Sequence, residues 1–201
     1  MLGFRQSGPT SNRKTILVKG YQSWAGRALV AFQAFRRCLD VLKGYTIVLY
    51  AVVDDVKIAA RLFEQETGIP IKIVPPFSPE QEILSQFGAA RIYVGLSISD
   101  GISTSLLEAM VMGAFPIQSC TACANEWIQD GISGIIVPPE EPVEIANAIR
   151  RALTDDRLVD QAAEINMKTA KERLDYSVIQ PQAIKIYQDI YESQLRNRSK
   201  S

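Results

Sequence analysis

The chain has 201 residues, 47% of them apolar and 22% charged, with Lys plus Arg and Asp plus Glu equal at 22 each. That suits one sizeable globular domain, and a formal net charge of zero gives no global pull toward nucleic acid or anionic lipid. Histidine is absent, which excludes serine–histidine and cysteine–histidine catalysis within the chain and removes the commonest metal ligand.

Residues 1–14, rich in Gly, Ser, Pro and Asn with scattered cations, read as a flexible leader. Residues 15–19 are a first apolar strand and residues 20–26 a loop. The helical spacing of Leu29, Val30, Phe32, Phe35, Leu39 and Leu42 predicts one helix over 27–43, stopped by Gly44. Residues 45–53 form a nearly continuous apolar run, as expected of a strand covered on both faces. Asp54 is the expected cap of a helix running to about residue 67. Strand 71–74 ends at Pro75-Pro76, a short helix covers 79–87 with Glu82 and Gln86 on its wet face, and strand 91–96 follows. A helix over 105–112, a strand over 115–118, a short helix over 125–129 and a strand over 134–137 complete the alternation. Beyond residue 141 the pattern is helical, over 142–153, 156–172 and 176–195, with a frayed tail at 196–201. The main domain is thus expected over 15–195.

Strand and helix alternate six times. The fold class that follows is α/β: a doubly wound, Rossmann-like parallel sheet of about six strands with helices on both faces and a helical C-terminus. In such sheets ligands bind beyond the carboxyl ends of the strands, where strand order reverses. The loops after the first and fourth strands are expected to face each other there.

The stretch from Leu96 to Met110 carries the chemistry. It leaves an apolar strand, turns through Ser97, Ser99, Asp100, Gly101, Ser103, Thr104 and Ser105, and enters a helix. Unpaired backbone amides at the helix start, with the positive end of the dipole, make an anion site. Asp100 and Glu108 bracket it with seven residues between them, close enough to serve the hydroxyls of one ligand. Two plainer readings stand beside this one. Ser105-Leu106-Leu107-Glu108 has the spacing of a capping box, and Asp100-Gly101 is a common turn dipeptide.

Asp100, Glu108, Ala109-Met110, Gly113 and Pro116, followed by Glu126, Asp130-Gly131, Gly134 and Val137-Pro138-Pro139, resemble the donor-binding signature of group 1 nucleotide-sugar glycosyltransferases with the GT-B fold. The match is strong over roughly residues 88–155. The resemblance implies roles. Glu108 would bind the two ribose hydroxyls and Asp100 the hydroxyls of the transferred sugar. Backbone amides across Gly101, Ile102, Ser103, Thr104 and Ser105 would bind the diphosphate. Lys19 and Arg27, in the loop after the first strand, would neutralise the departing diphosphate. The base would lie near Pro76-Phe77-Ser78. Asp stands where the family usually has Glu, one methylene longer, and the Lys19–Arg27 order and spacing are irregular.

The implied function is hexosyl transfer from a nucleoside diphosphate sugar to a glycan, lipid or small-molecule acceptor, with retention of configuration, without metal or other cofactor, and in glycan or polysaccharide biosynthesis. The chain corresponds to the C-terminal, donor-binding lobe. The acceptor lobe would be supplied in cis or by a separate subunit, and no nucleic acid is expected as a partner. The alternatives are a non-catalytic nucleotide-sugar binding or scaffold module, or part of a nucleotide-sugar epimerase. Cys120-Thr121-Ala122-Cys123 lacks the further ligands a zinc site needs, and Asp54-Asp55 reads as a helix start, so no metal site is expected. The lack of a long apolar run or signal-peptide core and the odd number of cysteines place the protein in the cytoplasm, or peripheral to a membrane through the missing lobe.

Overall fold

The fold was analysed in a computed structural model, which describes residues 3, 5–121 and 123–198. Six strands form one all-parallel sheet: β1 (Thr15–Lys19), β2 (Thr46–Tyr50), β3 (Ile71–Ile73), β4 (Ala90–Gly95), β5 (Phe115–Ser119) and β6 (Ile135–Val137). Their order is β3-β2-β1-β4-β5-β6, so chain direction across the sheet reverses between β1 and β4. Eight helices accompany them among the described residues: α1 (Ala28–Arg36), α2 (Leu39–Leu42), α3 (Asp54–Thr67), α4 (Glu80–Ala89), α5 (Thr104–Met112), α6 (Pro142–Thr154), α7 (Asp156–Leu174) and α8 (Tyr176–Arg198).

The period-two side-chain alternation of the strands sorts the core into two layers. Ile16, Val18, Ile47, Leu49, Ile92 and Val94 point to one face, against Phe32 and Phe35 of α1, Phe63 of α3 and Ile149 of α6. Leu17, Val48, Tyr50 and Tyr93 point to the other, against Leu84 and Phe87 of α4 and Ala109 and Met112 of α5. Burial on both faces explains why β1 and β2 read as apolar runs, while β4 and β5 bury Arg91 and Gln118 among their apolar residues. The expected doubly wound sheet is the one observed.

Several boundaries differ from the sequence expectation. The single helix over 27–43 is two, α1 and α2, joined by a tight turn at Arg37 and Cys38. Phe35, Cys38 and Leu42 are all fully buried, so the apolar spacing runs straight through the break and hides it. β2 stops at Tyr50 because Ala51 takes a left-handed φ of 51°. Val53, not Asp54, occupies the N-cap of α3; Asp54 is inside the helix, bonded to Lys57 at 2.8 Å, which holds its carboxyl below the usual range. The expected helix at 125–129 is a single 3-10 turn, Ala124–Glu126.

The segment expected as a leader is tied down at its end. Thr10–Asn12 form a 3-10 turn, Thr10 Oγ1 donates to Gly113 O at 2.7 Å, and the buried Arg13 donates to Ala90 O and Met112 O. Residues 1, 2 and 4 lie outside the described residues, as do 199–201 of the expected tail, whereas 196–198 belong to α8. The chain divides into two compact units, Met1–Met167 and Lys168–Ser201. The first holds the whole sheet. In the second, Asp175 opens α8 by accepting from Ser177 N and Ser177 Oγ.

Candidate nucleotide-sugar site

At the point where strand order reverses, the loops after β1 and β4 are joined by backbone hydrogen bonds. Gly26 bridges Ser97, Arg27 N donates to Leu96 O at 2.9 Å and Ile98 N donates to Ala25 O at 2.8 Å. The two loops expected to face one another are stitched together. Gly26 is required in this join: a Cβ there would lie 2.1 Å from Tyr21 O.

On the β4 side, α5 begins at Thr104 with Ser103 as N-cap. Ser103 Oγ accepts from Leu106 N, satisfying one of the orphan amides. The capping box from Ser105 to Glu108 therefore does not form, and Glu108 sits further in, in the second turn. Thr104 and Ser105, as the first residues of α5, have amides with no acceptor inside the helix. Gly101 and Ile102 are exposed, and nothing lies within 4 Å of where a Cβ of Gly101 would be. The backbone before α5 is open to close approach by a ligand. Asp100 is half-buried. Neither Asp100 nor Glu108 makes a hydrogen bond or ion pair among the described residues.

Glu108 is half-buried, and its carboxyl is raised above the usual 4.5, first by that burial and then by the nearby charge of Glu80; Lys19 opposes the shift. Lys19, at the end of β1, thus acts electrostatically on Glu108 across the crevice. A carboxylate in this setting, partly desolvated and without a donor, has spare acceptor capacity at a cost to the fold.

Arg27 is placed differently. Its Nε donates to Glu140 Oε1 at 2.6 Å, and its Nη1 donates to Ser23 O, Gly26 O and Trp24 O at 3.1, 2.9 and 3.3 Å. The guanidinium expected to meet a diphosphate is engaged in holding its own loop and tying it to the turn between β6 and α6. Glu140 escaped the sequence reading because 113 residues separate it from Arg27.

A buried polar floor also went unseen. Tyr50 Oη donates to Ser105 Oγ at 2.7 Å, linking β2 to the first turn of α5. Tyr93 is wholly buried beside Tyr50, Ser105 and Ser103, without a well-formed hydrogen bond, and burial pushes its hydroxyl up to about 12. Tyr50 and Tyr93, two buried hydroxyls in β2 and β4 at the period that points them under the helix start, were the available signal.

Other members of the motif serve the fold. Asp130 Oδ1 accepts from Ile136 N at 2.8 Å, and Gly131, with φ of 72°, donates to Gly134 O; together they shape the turn into β6. Phe77 stands fully exposed, at a φ of 62°, in the loop expected near the base. Cys120 and Cys123 are exposed free thiols, and Ala122 between them lies outside the described residues. Among the described residues no group of three or more His, Cys, Asp or Glu is placed to hold a metal ion, and no helix is long and apolar enough to cross a membrane.

Residues 25–155, which contain α1 through α6 and every strand but β1, match the family model of the glycosyl transferases group 1. The chain belongs to that family. D-inositol 3-phosphate glycosyltransferase of Nocardioides is 28% identical over 106 residues, covering 52% of this chain and 23% of that protein. The chain therefore spans only part of the length of the curated relatives it matches. Among solved structures, Anabaena HepE in complex with UDP-glucose superposes with a TM-score of 0.75 at 17% identity, over 94% of this chain and 55% of that one. The C-terminal domain of a group 1 glycosyl transferase (LpcC) from Francisella tularensis superposes with a TM-score of 0.71 at 20% identity, over 84% of this chain and 95% of that domain. The group 1 fold of this chain is thus that of a C-terminal GT-B lobe.

Proposed function

We propose that this chain is the donor-binding lobe of a glycosyltransferase that moves a hexosyl group from a nucleoside diphosphate sugar to an acceptor held by a part of the protein beyond these residues. The observation that carries the reading is Glu108, half-buried, raised in pKa and without a protein partner, beside the open start of α5. In this reading Glu108 accepts from both ribose hydroxyls. The amides of Thr104 and Ser105, with the helix dipole, hold the diphosphate, and Lys19 supplies the compensating positive charge. Asp100 accepts from a hydroxyl of the transferred sugar.

Hexosyl transfer here proceeds with retention and without a metal, the diphosphate's growing charge being met by fixed amides and Lys19. The protein works in the cytoplasm, in glycan or polysaccharide biosynthesis, with the acceptor lobe in cis or on a second subunit. The named relatives support the substrate class: one is a glycosyltransferase by name, and HepE was solved with UDP-glucose. The engagement of Arg27 favours a second reading, in which this chain binds a donor but performs no transfer by itself. Calorimetry with UDP-, GDP- and ADP-linked sugars tests the first: absence of heat with all three classes sinks it. Transfer by the isolated 201-residue chain, followed as release of nucleoside diphosphate with added acceptor sugars, separates the two.

A further inference from the structure

One conspicuous side chain has no task in the proposed donor site. Trp24 is 75% exposed in the loop between β1 and α1. Exposure of an indole on a slack loop would mean little. This loop is not slack. Gln22 bridges Arg27, Gln22 Oε1 accepts from Leu29 N, Ser23 Oγ accepts from Ala25 N, and Arg27 Nη1 gathers the carbonyls of Ser23, Trp24 and Gly26. The polar side chains of the loop are spent inward, and the backbone on both sides of Trp24 is fixed. The indole is held out by construction.

Its location follows from the same hydrogen bonds. Ala25 is bonded to Ile98 and Gly26 bridges Ser97, with the two chains running antiparallel. The next residues outward are Trp24 on one side and Ser99, then Asp100, on the other. Trp24 therefore stands at the mouth of the crevice, next to the segment that carries Asp100. Residues 20–26 contain no charged side chain, and the charge of Arg27 is met by Glu140. A rigid aromatic face with neutral surroundings suits an uncharged ring that has one apolar side and a polar rim. A pyranose is such a ring: its axial C–H bonds meet the electron-rich indole face while its hydroxyls stay free for Asp100 and water.

We propose that Trp24 is a stacking platform for a pyranose ring, with Arg27 and Glu140 as the positioning pair that holds it in place. The proposal rests on the donor-site reading, and the ring belongs either to the hexosyl group of the donor or to the acceptor. Preorganisation of the loop means that the stacking energy is not consumed in ordering the backbone.

The test is calorimetric titration of the 201-residue chain, and of its Trp24→Ala and Trp24→Phe variants, with UDP, UDP-glucose, GDP and GDP-mannose. Melting curves accompany each variant, and an exposed indole predicts no loss of fold. If the ring is the donor's, Trp24→Ala weakens the sugar conjugate about three- to tenfold relative to the bare diphosphate, and Trp24→Phe restores most of that ratio. If the ring is the acceptor's, the ratio is unchanged. The indole N–H resonance of Trp24, assigned by its loss in Trp24→Phe, then moves when methyl glucosides or methyl mannosides are added to the diphosphate-saturated chain. An unchanged ratio together with an unmoved resonance overturns the platform and leaves the donor site standing. If the chain binds none of these four and neither ADP nor ADP-glucose, both readings fall.

Discussion

The two sides of the crevice are built from similar residues and treated in opposite ways. On the β4–α5 side, Asp100 and Glu108 have no partner among the described residues, the backbone at Gly101 is uncovered, and Glu108 carries an unfavourable pKa. On the β1–α1 side, Arg27 makes one ion pair and three hydrogen bonds to loop carbonyls, Ser23 is bonded within its own loop and Gln22 to the first turn of α1. A side chain that serves the fold is satisfied by the fold. One that serves a ligand is left short of partners, and the fold bears the cost. On the proposed donor-site reading, that criterion assigns Glu108 and Lys19 to the ligand and Arg27 to the loop.

The largest effect that would break this contrast comes from Glu108→Ala. Loss of a charged acceptor for two hydroxyls should weaken nucleotide binding by about 1.5–3 kcal/mol, while the melting temperature holds, because Ser103 and not Glu108 caps α5. A variant that binds nucleotide normally, or one that melts early, would return Glu108 to a structural role.

Lys19→Ala and Arg27→Ala sharpen the other half. Removing Lys19 should cost about 1–2 kcal/mol in binding of a nucleoside diphosphate, with little change in melting. Removing Arg27 should reverse the pattern, costing about 1–2 kcal/mol of stability by leaving three carbonyls and Glu140 without their donor, with a smaller change in diphosphate affinity than Lys19→Ala. Glu140→Ala, which removes only an exposed partner, should cost under about 1 kcal/mol. If Arg27→Ala loses more diphosphate affinity than Lys19→Ala, the guanidinium leaves Glu140 for the ligand and the assignment of Arg27 to architecture is wrong.

The contrast also explains what could be read in the sequence. The sheet was legible because strands buried on both faces are predominantly apolar, and strand order nominated the place of the candidate site. Asp100 and Glu108 could be nominated from sequence because their spacing lies within one strand–turn–helix segment. The competing explanations for Glu108 were not separable there: three consecutive small hydroxyl residues, Ser103, Thr104 and Ser105, could each cap the helix; a cap at Ser105 would make Glu108 its capping-box partner, whereas the observed cap at Ser103 leaves Glu108 beyond the box. Arg27–Glu140 and Tyr50–Ser105 were invisible because 113 and 55 residues intervene. A cation near a phosphate site and a cation holding a loop look alike until its partner is placed. The break between α1 and α2 was masked by Cys38 and Leu42 keeping the apolar period across a turn.

The smallest effect is the most specific to the idea that the fold bears a cost for Glu108. Its folded pKa is raised above the ordinary 4.5, so between that value and the raised one the native state binds more protons than the unfolded chain. Stability therefore falls as pH rises through this window. Glu108→Gln keeps the shape and cannot ionise. Its melting temperature should run parallel to the wild type at pH values below the ordinary carboxylate range and rise above it toward neutrality, by an amount equivalent to less than about 1 kcal/mol, since water still screens a half-exposed carboxylate. A paired or capping carboxylate would give the opposite sign, with the glutamine variant less stable at neutral pH. The same variant should bind nucleotide more weakly than wild type, because an amide offers one acceptor oxygen and no charge. A glutamine that stabilises the fold while weakening the ligand is the outcome expected only of a residue held out for binding.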